Sequence, residues 1–266
     1  AFKINDAFGL TLHVSGEIID ENEEIITHFS TNHTGMGVFN LRPEINKKYF
    51  ARIQGRIIGQ LPSIKPEGIV LEIDNSSEYV CFVGIKANSQ YLHRQKSNVV
   101  YLVVQSKNII NHAEKITLED TVSQTTFLKS RFEAGIAQIT VVTETLEPLA
   151  ERLIFIEQEP ELMSIDLKFD KENYGQREKI VVDILTKDPQ GQPLPAKLSM
   201  AITDTDKVGY PHSWHGDNII NNALLSTELK GYIENPAYYF EKDDSTASKH
   251  LDLLLMTHGW RRFVWR

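Results

Sequence analysis

Cysteine is almost missing from this 266-residue chain: Cys81 is the single one. No intrachain disulfide can form, which excludes the disulfide-stapled mini-protein. Long apolar runs are lacking too, since none approaches the ~18 residues that a membrane-spanning helix needs. There is no low-complexity tract. Excess positive charge is absent as well: 28 Lys and Arg against 36 Asp and Glu leave a formal net charge of −8. A nucleic-acid binder normally carries a basic face, so that class is disfavoured. What remains is an ordinary globular composition, 41% hydrophobic and 24% charged, unlike that of disordered or collagen-like chains.

Catalytic signatures are sparse. No Gly-x-Ser-x-Gly elbow occurs, and Gly35-Met36-Gly37 lacks the rest of a phosphate-cradling pattern. Cys81 lies in the strand-like run Tyr79-Val80-Cys81-Phe82-Val83 and reads as a buried core thiol rather than a nucleophile. His212-Ser213-Trp214-His215, near Asp204, Asp206 and Asp217, has metal-ligand chemistry but matches no standard spacing. Thr203-Asp204-Thr205-Asp206 lacks the Gly and distal Glu of a calcium loop and reads as a turn. Asp20-Glu21-Asn22-Glu23-Glu24 reads as a solvated turn. The sequence therefore names no catalytic residue, no cofactor and no metal ligand, and the expected protein is not an enzyme.

Short apolar runs punctuated by Gly, Pro, Asn and Asp predict all-β sandwiches. Ile69, Leu71 and Ile73 alternate with Val70 and Glu72. Ile139 and Val141 alternate with Gln138 and Thr140, and Ile165, Leu167 and Phe169 alternate with Asp166 and Lys168. Such period-two patterning sends one set to a core and the other towards water. We expect an immunoglobulin-like unit over residues 1–58, closing near Ile53-Gln54-Gly55. Within it, Thr34-Gly35-Met36-Gly37 makes a tight entry into a strand. A sandwich of about seven strands is expected over 59–158, opening with the linker Leu61–Pro66 and carrying its strands from Glu67 on. A third unit over 159–266 has strands around Ser164–Phe169, Lys179–Leu185 and Ala196–Thr203, with a turn at Asp188–Pro193.

After Asp206 the texture becomes helical. Asp217 can cap a helix carrying Ile220, Ala223, Leu224 and Leu225, with Gly231 past its end. A second helix starting near Asp244 or Ser245 presents Leu251, Leu254, Leu255 and His258 on one face and stops at Gly259. That face calls for packing on the neighbouring sandwich. Asn235-Pro236-Ala237-Tyr238-Tyr239-Phe240 reads as an aromatic loop between the two. Trp214, Tyr238, Tyr239, Phe240 and Trp260 are the candidate interaction residues, either stacking on a sugar or partner or filling the core beneath the helices. Arg261 and Arg262 follow Trp260 and are available to carboxylates. The chain opens Ala1-Phe2-Lys3-Ile4 without an initiator Met or signal peptide and stops as Phe263-Val264 begins, so it reads as part of a longer chain.

Segments of the chain resemble a known family. They are Ala134–Thr140 leading to Pro148–Ile156, Tyr174–Ile180 continuing through Gly191-Gln192-Pro193 to Ala196–Asp204, and Leu229–Pro236 followed by Leu251–Arg262. Together they resemble the macroglobulin-like domains of large envelope proteins of Gram-negative bacteria, over residues 60–266. In that family such sandwiches precede regions similar to TonB-dependent receptor plug or carboxypeptidase-regulatory domains. The resemblance implies tandem sandwiches with a short two-helix C-terminal appendage, in the periplasm or at the outer-membrane surface. It also implies a structural or interaction role with a protein or glycan partner. True macroglobulins trap proteases through a thioester in a Cys-Gly-Glu-Gln-like motif, whereas Cys81-Phe82-Val83-Gly84 lacks both the Gly and the Gln. An adhesin module that binds carbohydrate or protein, and a protease-trap fragment without its thioester, stand as alternatives.

Overall fold

The computed structural model describes the chain except residues 95–96, 159–161, 201, 203–217, 242–244 and 260–266. The protein is all-β, built of antiparallel sheets with few helices. Residues 1–158 and 215–266 form one compact unit and residues 159–214 another.

The first sandwich comprises β1 (Phe2–Lys3), β2 (Ser15–Asp20), β3 (Ile25–Ser30), β4 (Met36–Gly37), β5 (Tyr49–Ile53) and β6 (Arg56–Gln60). A four-stranded sheet of order β3-β2-β5-β6 accompanies the pair β1-β4. Ile18, Phe29 and Tyr49 form its buried centre, with Phe2 and Phe39 packed against them. The Phe2 and Phe29 rings meet edge to face at 5.0 Å, the arrangement that ring quadrupoles favour. The Gln54-Gly55 dipeptide, expected as the end of this unit, is instead a two-residue hairpin turn. Both residues have positive φ, the conformation whose twist matches the flanking strands. The chain returns as β6, so the boundary placed at residue 58 falls inside a strand.

The second sandwich holds β7 (Ile69–Asp74), β8 (Val80–Ala87), α1 (Ser89–Arg94), β9 (Val99–Ser106), β10 (Ile109–Thr117), β11 (Val122–Leu128), β12 (Gly135–Thr143) and β13 (Pro148–Ile156). Sheet β11-β8-β7 faces sheet β10-β9-β12-β13, the three-plus-four division of an immunoglobulin-like sandwich. Cys81, Ile85, Leu102, Ile139 and Ile154 fill the space between. The expected alternation fails on β12 in one respect. Gln138 and Thr140, which the pattern sent to water, are 4% and 1% exposed. β12 is buried on both faces, and the glutamine amides of Gln105 and Gln138 hydrogen-bond to each other there.

In the separate unit, β14 (Ser164–Phe169) pairs with β15 (Val182–Lys187). The Asp188–Pro193 turn forms as expected: the Asp188 carboxylate accepts the Gln190 and Gln192 amides, and Gly191 takes a positive φ. Residues 179–181 precede β15 rather than belonging to it. Residues 196–200 form no strand, although one was expected over Ala196–Thr203.

The C-terminal segment contains α2 (Ile219–Asn221), which continues as a wide turn over Asn222–Ser226, then a 3-10 turn at Pro236–Phe240 and α3 (Ser245–Thr257). Asn218, rather than Asp217, caps α2: its side chain accepts from the Ile220 and Asn221 amides, satisfying donors that a helix start leaves open. Asp217 lies outside the described residues. The aromatic loop is helical because Pro236 supplies the fixed φ of a first turn while Asn235 takes a left-handed φ. No described helix is long and apolar enough to cross a membrane.

The placement of this segment is the main departure from expectation. It was assigned to the third unit, but α3 packs on β13 of the second sandwich and on β1 and β4 of the first. Leu225, Leu229, Leu251 and Leu254 share one buried cluster with Ile136, Leu153 and Phe155 of β12 and β13 and with Met36 of β4. The apolar stripe identified in the sequence thus covers the outer face of an existing sheet. Burial of such side chains contributes roughly 1.5–3 kcal/mol each.

Candidate functional site

The described residue types of greatest chemical interest gather where the C-terminal segment meets the first sandwich. A glycine pair makes the meeting possible. Gly35 has a φ of +73°, and a Cβ on it would lie 2.4 Å from the Ile4 carbonyl oxygen; one on Gly37 would lie 2.4 Å from the Phe2 ring. Only glycine permits this approach of β4 to β1. The approach turns Met36, fully buried, away from the first sandwich's own core and into the cluster beneath α3. There the Thr257 hydroxyl lies 3.0 Å from Met36 Sδ.

His33 sits just ahead of this pair. Its ring stacks on that of His250 of α3 at 4.2 Å and 10° between planes, and on Tyr238 at 4.9 Å. The Tyr239 hydroxyl is hydrogen-bonded to His33 Nε2 at 3.1 Å, and the Tyr238 hydroxyl to His250 Nδ1 at 2.7 Å. Burial, then the neighbouring His250, His13 and Lys3, push the His33 imidazole down to about 4. His258, just past α3, is lowered by burial and then by Lys3. Burial pushes the Tyr239 phenol up to about 12. At neutral pH the His33 imidazole and the Tyr239 phenol are therefore uncharged.

On the other side of α3 the contacts are to β13. Arg152 Nη2 donates to Asp252 Oδ1 at 2.7 Å, while Nη1 donates to the Leu153 carbonyl. Phe155 meets Phe240 edge to face at 5.6 Å. The C-terminal segment is thus a clamp, gripping the second sandwich through apolar burial and an ion pair and the first through a ring stack and Met36.

Of the candidate interaction residues, Tyr239 is buried and Tyr238 and Phe240 are half-buried, all three packed in the clamp. Trp214 and Trp260 lie outside the described residues, as do His212, His215, Asp204, Asp206, Arg261 and Arg262. Among the described residues no group of three His, Cys, Asp or Glu side chains is placed to hold a metal. Cys81 is fully buried, and burial pushes its thiol up to about 12, the inert form of the residue. Lys129, also buried, donates from Nζ to the Asn75 carbonyl, and burial lowers it.

The sequence did not single out His33, His250, Met36 or Asp252. The only local trace was Gly35-Met36-Gly37, read as a tight entry into a strand; the close approach of β4 to β1 that the glycines permit was not legible. No protein-family profile matches the chain, and no curated relative matches it. Among solved structures, a β-glucuronidase from glycoside hydrolase family 2 aligns at 12% identity over 55% of this chain, with a TM-score of 0.24. The chain spans 18% of that protein's length.

Proposed function

We propose that this chain is a non-enzymatic structural and interaction segment of a Gram-negative cell-envelope protein, in the periplasm or at the outer-membrane surface. Its place would be in an assembly linked to TonB-dependent uptake. The observation that carries the reading is the clamp. A spacer built from sandwiches needs its units held in register, and the C-terminal segment grips two of them at once. Specificity then resides in the loops that the rigid sandwiches display. The envelope assignment rests on the family-like segments from Ala134 to Arg262.

The adhesin reading draws less support. It needs a contiguous exposed aromatic patch, whereas Tyr238, Tyr239 and Phe240 fill the clamp. The test has two arms. Fractionation of cells making the native protein should place it in the envelope, and the purified chain should turn over nothing on broad hydrolase and protease panels. Cytosolic recovery or catalytic turnover would overturn the proposal. Specific retention on a glycan array would favour the adhesin. A Cys-Gly-Glu-Gln-like motif in the full-length gene product would favour the protease trap.

A further inference from the structure

We propose that β14 is a self-recognising edge: two copies of this chain join by antiparallel pairing of β14 with β14, about a twofold axis at Leu167, into one four-stranded sheet. The surface lies wholly within the unit of residues 159–214. It goes beyond the scaffold reading and does not depend on it.

The two edges of this hairpin differ. Among the described residues β14 pairs with β15 alone, and every residue of β14 is exposed. The far edge of β15 is partly taken: the Leu194 amide donates to the Thr186 carbonyl, and Lys187 bridges to Pro193. A two-stranded ribbon is marginal by itself in water and gains from further strands. The ribbon is also two-faced. Its register sets Ile165, Leu167 and Phe169 beside Thr186, Ile184 and Val182 on one face, with Asp166 and Lys168 beside Leu185 and Asp183 on the other. Ile165, Leu167 and Phe169 are 48%, 53% and 52% exposed, an uncovered apolar row of the kind that marks an interaction site.

Backbone parity and charge then select one register. The Asp170 amide donates to the Val181 carbonyl, whereas Thr186 turns its carbonyl away from β14. Hydrogen-bonded and non-hydrogen-bonded pairs alternate along an antiparallel ladder. Asp166 and Lys168 therefore direct their backbone groups to β15, while Ile165, Leu167 and Phe169 present theirs to the open edge. A second β14 centred on Leu167 meets that set: Leu167 exchanges both bonds with its own copy, and Ile165 exchanges them with Phe169. Asp166 then falls opposite Lys168 of the other copy, in the non-hydrogen-bonded pairs whose side chains lie closest. Across the sheet the row reads Asp183, Lys168, then Asp166 of the second copy, alternating in sign. Lys187, whose Nζ lies 2.6 Å from Asp166 Oδ2 within its own hairpin, adds a second cation to that carboxylate.

Other registers fail. Moving the centre by one residue sets Asp166 against Asp166 or Lys168 against Lys168, and turns the wrong backbone groups to the edge. Lysine on an edge strand normally discourages pairing. Here it meets an acid when β14 pairs with itself in this register, so the charge that repels other strands selects this one. The interface is isologous and closes at two copies.

Sedimentation of the full chain from about 5 to about 500 μM should show a reversible dimer. Asp166→Lys and Lys168→Asp each set like charges opposite one another, and each should weaken dimerisation at least about tenfold. Mixed in equal amounts, these two variants are complementary again and should associate about as tightly as wild type. Chains that had merely lost the hairpin would not. Register is read with Leu167→Cys and Ile165→Cys under oxidised glutathione; Cys81 is buried and common to both. Position 167 meets its own copy at about 5.5 Å between Cα atoms, within the ~4.4–6.8 Å that a disulfide spans. Position 165 stands about 13 Å from its own copy, so Leu167→Cys should cross-link and Ile165→Cys should not. A chain monomeric throughout that range would overturn the proposal. So would a dimer indifferent to both charge reversals, a mixture that fails to associate, or equal cross-linking at the two positions.

Discussion

His33 and His250 are 217 residues apart, yet their rings lie 4.2 Å from one another and almost parallel. The contact joins the loop before β4 of the first sandwich to the helix that closes the described chain. It forms because two glycines let β4 approach β1 and because α3 carries a leucine stripe with no sheet of its own to cover.

Stability should fall in mild acid for a reason traceable to His33. Its imidazole is lowered from 6.5 to about 4 in the folded chain, so the unfolded chain binds more protons between those values. The contribution is complete above about pH 6.5, declines as pH falls, and is exhausted near pH 4. Discounted for partial exposure, it amounts to about 1–2 kcal/mol. Urea unfolding at a series of pH values, for wild type and His33→Gln, should show the variant losing that slope.

Leu254 is almost fully buried in the clamp. Leu254→Ala should cost about 2–5 kcal/mol, from lost transfer energy and the cavity left behind. Ile57, on exposed β6, should tolerate Ala within about 0.5 kcal/mol. Paired denaturant titrations decide this. Equal losses would mean that the C-terminal segment adds nothing to the fold.

Gly35→Ala meets both a positive φ and the Ile4 carbonyl, and should destabilise by about 1–3 kcal/mol while loosening the Met36 contact. Gly59, with nothing near its missing Cβ, supplies the control. There Ala should be neutral or stabilising, by up to about 1 kcal/mol. Thermal melts of the two variants should move apart.

Cys81 should resist thiol reagents in the native chain at about pH 8, because burial holds it protonated. Its labelling rate should follow global unfolding as denaturant is added. Fast labelling without denaturant would contradict a core position.

The strands were legible because alternation is local: Ile69, Leu71 and Ile73 lie on the less exposed face of β7, whereas β12 is buried on both faces and β14 is exposed throughout, with Ile165, Leu167 and Phe169 no more covered than their neighbours. The helical stripe of Leu251, Leu254 and Leu255 was legible for the same reason. Its destination was not. A stripe states that it must be covered but not by which sheet, and β12 and β13 were as eligible as β14. The residues of the clamp meet through tertiary contact alone, so neither His33 nor His250 carries a mark in its own neighbourhood. Gln54-Gly55 was read as a boundary because Gly ends a unit as readily as it turns a hairpin; the positive φ of Gln54 distinguishes the two.

The central claim is that the C-terminal segment holds the first sandwich directly. A double-mutant cycle of His33→Ala and His250→Ala, at a pH near 8, measures that contact most directly. Contacting aromatic pairs couple by about 0.5–1.5 kcal/mol, and a stabilising coupling of that size is expected here. Strictly additive losses would contradict the clamp.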